Sequence, residues 1–109
     1  GGFISTVGDL ARFARGLMGE ALLPRATLDR MWTPQQLASG KRTSYGLGFG
    51  VSSAAGERVI RHTGSQPKTR TLLSVRPDSR RAVVVMTNSE FGRVKAVAAV
   101  AWAVLDQRR

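Results

Sequence analysis

The first apolar pattern along the chain has a period close to a helical turn. Leu10, Phe13, Ala14, Leu17 and Met18 recur at that spacing, while Arg12, Arg15 and Glu20 fall elsewhere around the wheel. Ser5 and Thr6 stand just ahead, and Asp9 follows Thr6 by three positions. A hydroxyl cap and a carboxylate there would meet the unsatisfied N–H groups of a first turn. The pattern predicts an amphipathic helix that ends near Gly19. Pro24 suits the first turn of a second, shorter helix with Leu28, Met31 and Trp32 inward, stopped by Thr33-Pro34. The polar stretch 35–43, with Gly40, Lys41 and Arg42, predicts a loop.

From Ser44 the period changes to two. Tyr45, Leu47, Phe49 and Val51 alternate with Gly46, Gly48 and Gly50, which predicts a strand with large side chains on one face and none on the other. Such a bare face suits the close approach of another backbone or of a ligand. Ala54-Ala55-Gly56-Glu57 predicts a hairpin turn into a strand over 58–63. Two further strands are predicted over 71–76 and 82–87, joined by the turn Pro77-Asp78-Ser79-Arg80. Val94, Val97, Ala98, Val100, Ala101, Trp102 and Leu105 fit a C-terminal helix covering the sheet. The order helix, helix, four antiparallel strands, helix makes the fold class α+β, an antiparallel β-sheet flanked by helices.

Composition narrows the function classes. A chain of 109 residues, 42% hydrophobic and 22% charged, suits one folded domain rather than a disordered segment. No run approaches the roughly 18 apolar residues of a membrane span. The absence of cysteine removes disulfides and thiolate metal sites, and no cofactor or metal is expected. A net charge of +10 raises the question of an anionic partner. The basic residues, however, are scattered from Arg12 to Arg109 in short pairs such as Arg80-Arg81. Without a like-charge block or interleaved aromatic and basic residues, the expectation is a solvated basic surface, matched by acidic regions elsewhere in the polypeptide, and no nucleic-acid partner. The chain begins at Gly1, and its first six residues carry neither a basic nor an apolar leader region, which leaves the compartment open.

The stretch His62-Thr63-Gly64-Ser65 carries the most chemistry. It sits at the end of one expected strand, before a loop and another strand. A small hydroxyl residue followed by glycine at a strand edge bares backbone N–H and C=O groups to a substrate, because glycine puts no Cβ in the way.

In order and spacing, GGFISTVGDLARFARGL, LLPRATLDRMWTP, YGLGFGV, the HTGS stretch and AVVVMTNS resemble the C-terminal portion of serine β-lactamase-like hydrolases. That group includes class C β-lactamases, DD-carboxypeptidase relatives, family esterases and LACTB-like peptidases. The resemblance spans essentially all 109 residues and implies part of a transpeptidase-like fold. Its members combine a Ser-x-x-Lys at a helix start, a Tyr-containing loop motif and a Lys/His-Thr-Gly strand, and they hydrolyse amides or esters through an acyl-enzyme.

The resemblance makes His62, Thr63 and Gly64 the third of these elements. Thr63 would hydrogen-bond a substrate carboxylate or carbonyl, and the backbone N–H of Ser65 would be one of two oxyanion-hole donors. His62 stands where other members carry lysine. The first two elements are not found. Ser65-Gln66-Pro67-Lys68 matches Ser-x-x-Lys by letter only, since a strand rather than a helix follows it. Tyr45 precedes glycine and leucine, which assigns it to packing, and Asn88 to a strand-end turn. Where relatives continue with glycines and a Pro-Gly-Phe stretch, this chain has Ser65, Pro67, Lys68 and Thr69, with Lys68 a cation at the cleft rim.

The chain is therefore expected to be a C-terminal segment, 1–109, that supplies one active-site wall and is inert alone. Its expected partners are a small-molecule or peptide substrate and the N-terminal part of the same polypeptide. The alternative expectation is a non-catalytic binding module on the same scaffold.

Overall fold

Thr6 opens the first helix as the spacing predicts. Its hydroxyl accepts the Asp9 N–H at 3.1 Å, and α1 runs over Val7–Met18 in the computed structural model, which describes residues 1–108. Ala14, Leu17 and Met18 are buried, whereas Phe13, expected inward, is 41% exposed. Gly19 stands at the expected end, but Glu20 takes the left-handed conformation (φ 62°). The Ala21 N–H bonds back to the Gly16 carbonyl at 3.0 Å, closing the last turn. The second helix, α2, spans Arg25–Met31, with Pro24 just outside it as the cap residue rather than in the first turn. Leu28 and Trp32 are fully buried, and the guanidinium groups of Arg25 and Arg58 lie against the Trp32 ring.

The alternation from Ser44 does not form one strand. Gly46 donates to the Phe49 carbonyl at 2.7 Å and Gly48 has φ 82°, so 46–49 is a tight turn that returns Tyr45 to a bridge with Gly50. Leu47 N–H is held by the Met31 carbonyl at 2.8 Å. A Cβ on Gly46 would collide with that carbonyl, so the close approach of backbone explains this glycine. The 35–43 stretch is also more ordered than a plain loop, with a bridge between Gln36 and Arg42.

The sheet contains β1 (Gly50–Ala54), β2 (Glu57–Gln66), β3 (Thr69–Arg76) and β4 (Arg81–Thr87), antiparallel in that order. Ala55 and Gly56 both have positive φ, which gives the β1–β2 hairpin the twist its strands require. The loop expected after Ser65 is absent. The strand continues to Gln66, which pairs with Thr69 across a two-residue turn of Pro67 and Lys68.

Helix α3 (Val94–Gln107) packs on β3 and β4 from one face, and α1 and α2 cover the other. Alternation along β3 therefore feeds two cores. Leu73 and Val75 join Ala14, Leu17, Leu28, Trp32 and Ile60, while Leu72 joins Val83, Val85, Val94 and Ala98. Arg76 is buried on the α3 side. Its guanidinium stacks on Trp102 and donates to Asp106 Oδ1 at 2.6 Å, and Glu57 lies 3.9 Å away. The partners of this buried cation hold the far end of α3 on the sheet.

Candidate active site

The site is built around a difference in length between neighbouring strands. β1 pairs with β2 only as far as Gly50 opposite Arg61, whereas β3 pairs with β2 through Gln66. Among the described residues, no strand pairs with the outer edge of 62–66. His62, Thr63 and Ser65 are exposed along it. The strand thus carries backbone groups that no neighbouring strand pairs.

Register divides the four candidate residues between the two faces. His62 lies opposite Leu73 and Gly64 opposite Thr71, on the α1 side. Thr63 lies opposite Leu72 and Ser65 opposite Arg70, on the α3 side. A Cβ at Gly64 would meet the Thr71 hydroxyl, so the cross-strand neighbour as well as the open edge favours glycine there.

A cleft flanks the open segment on each face. On the α3 side, about 430 Å³ is bounded by Thr63, Gly64, Ser65 and Arg70 and by the start of α3 at Arg93, Val94 and Lys95. On the other, about 500 Å³ lies between Gly64, Ser65, Gln66, Met86 and the segment 1–5. A smaller recess of about 170 Å³ at the strand edge brings His62 and Thr63 together with Tyr45, Arg61 and Lys95. Tyr45 reaches the site from the turn before β1, its ring edge-on to His62 with centroids 6.4 Å apart. Expected only to pack, it borders the same recess as His62 and Thr63.

The Ser-x-x-Lys match fails geometrically. Ser65 is in the strand and Lys68 in the tight turn, with φ 63°, where its N–H lies 3.5 Å from a Glu90 carboxylate oxygen. Lys68 is therefore at the hairpin tip. Lys95 and Arg61 share the strand-edge recess with Thr63, and neither stood out in the sequence. Two signals mark them: Arg61 is two residues from Thr63 on the same strand face, and Lys95 is the lone charge in the apolar run 94–105.

The Beta-lactamase family model matches residues 1–107. The chain belongs to the beta-lactamase family. It is 25% identical over 87 residues to a penicillin-binding protein of Bacillus subtilis (strain 168), a match covering 79% of this chain and 19% of that protein. The octameric penicillin-binding protein homologue from Pyrococcus abyssi superposes on 96% of this chain and 25% of its own, at 22% identity and a TM-score of 0.80. A D-stereospecific amidohydrolase from Streptomyces sp. covers 76% of this chain and 25% of its own, at 28% identity and a TM-score of 0.60. The expected α+β, penicillin-binding-protein-like architecture is thus established, and the chain is related to serine hydrolases. It spans about a fifth of the curated relative and a quarter of each solved structure. Among the described residues no helix is long and apolar enough to cross a membrane.

Proposed function

We propose that this chain is the docking wall of a serine hydrolase that cleaves amide or ester bonds through an acyl-enzyme. The observation that carries the proposal is the uncovered edge of β2 at 62–66, flanked by a cleft on each face. An extended substrate aligns there as an added strand. Thr63 donates its hydroxyl to a substrate carboxylate or carbonyl, and Gly64 lets the substrate backbone lie close. The Ser65 N–H supplies one of two donors to the oxyanion. His62 occupies the docking strand's cationic position and meets Tyr45 at the rim. The nucleophilic serine and its lysine belong to polypeptide outside these residues, and 1–109 alone is inert.

Treating the full-length protein with a fluorophosphonate or penicillin probe, then mapping the adduct by mass spectrometry, tests this reading. One stoichiometric adduct is expected on a serine outside residues 1–109. The isolated 109-residue chain is expected to take up none. An adduct on Ser65 would overturn the assignment of the nucleophile. Complete absence of labelling in the full-length protein would point to a binding module on the same scaffold.

A further inference from the structure

Lys95 borders three recesses, two on the α3 side of the docking strand and one at its edge. It shares one with Thr63 and Arg93, one with Tyr45, Arg61 and His62, and a third with Arg61, Ser74 and Trp102. The third exists because α3 packs on β3 and β4, leaving the β2 face beside it uncovered. Arg61, Arg93 and Lys95 are exposed, and among the described residues none of the three is in an ion pair.

Five of the seven carboxylate side chains are paired elsewhere. Asp9 pairs with Arg12, Asp29 and Asp78 with Arg25, and Glu57 and Asp106 with Arg76 and Arg81. Glu90 lies at the β2–β3 turn. No carboxylate borders any of the three recesses. Like charges gathered in a cleft repel one another until an anion enters, and low-dielectric walls focus their field on it.

We propose that Arg61 and Lys95 form an anion subsite for a second negative group on the substrate, beyond the one held at Thr63. Arg61 and Thr63 are two residues apart on one strand face, which separates their side chains by roughly 7 Å. The preferred substrate is thus an acidic peptide or peptide-like acyl chain carrying two carboxylates at about that spacing. The proposal rests on the docking role of β2, deepening it into a substrate class.

Equilibrium binding of two matched peptides to the full-length protein tests it. The peptides differ only in glutamate or glutamine at the residue neighbouring the C-terminal one. The wild-type protein is expected to prefer the glutamyl peptide by about tenfold at low salt, because one well-placed charge-assisted contact contributes about that factor. The preference should shrink as salt is raised. In the double variant R61Q/K95Q the ratio should fall to within about twofold of one. Equal binding of both peptides by the wild type, or a preference that survives in R61Q/K95Q, would overturn the proposal. Equal binding together with lower thermal stability of R61Q/K95Q would assign the cations to acidic groups elsewhere in the polypeptide. Probe labelling reports the hydrolase reading separately, so failure of one is not mistaken for failure of the other.

Discussion

Thr63 is the residue on which the proposed docking role can be tested most directly. Its hydroxyl is exposed on the α3 face of β2, so a substrate that lies along the open edge desolvates it and takes up its hydrogen bond. On the proposed reading, Thr63→Val in the full-length protein is nearly isosteric and is expected to lower kcat/KM by about 5- to 150-fold. That corresponds to roughly 1–3 kcal/mol for leaving the substrate group unpaired. Steady-state kinetics on a hydrolysed ester or amide measures it, and an unchanged kcat/KM would remove the hydroxyl from the site. Thr63 was legible in the chain because hydroxyl and glycine are adjacent there. Lys95, some thirty positions away, was not, since only the packing of α3 on the sheet brings it alongside.

At the level of elements, local chemistry decided most boundaries and failed where a turn interrupted a good period. The first helix follows its spacing because its Thr6 cap and its buried face agree. Its end is less favourable: Glu20 occupies the left-handed position that glycine adopts without strain, while Gly19 beside it does not need its freedom. The left-handed strain of about 1–2 kcal/mol is partly offset by the unfolded-state entropy that glycine would add. Glu20→Gly is therefore expected to stabilise the protein by about 0.5–1 kcal/mol. A denaturant midpoint that falls rather than rises would contradict the capping geometry. The alternation over 44–51 misled for a different reason. Its glycines answer separate demands, Gly46 the carbonyl of Met31 and Gly48 a positive φ, and those demands break the strand.

For the molecule as a whole, the unpartnered surfaces among the described residues include, besides the β2 edge at 62–66, the outer edge of β4 and an exposed apolar stripe of Val97, Val100 and Val104 on α3. An uncovered strand edge is a template for pairing, and exposed apolar surface favours association. The isolated 109-residue chain is therefore expected to self-associate as concentration rises, and a constant monomer mass in sedimentation velocity across that range would contradict this. The amino-acid pattern alone was enough for the fold class, three helices, the central strands and the placement of His62-Thr63-Gly64-Ser65 in a strand. Each of those depends on contacts a few residues apart, where period, capping and turn chemistry act. Tertiary packing was needed to show that β1 pairs with β2 no further than Gly50 opposite Arg61, which bares 62–66, and that His62 and Thr63 face opposite sides. It was also needed to gather Arg61, Tyr45 and Lys95 around one recess. Those facts depend on how long neighbouring strands pair and where a helix crosses a sheet, which long-range burial settles and local spacing does not encode.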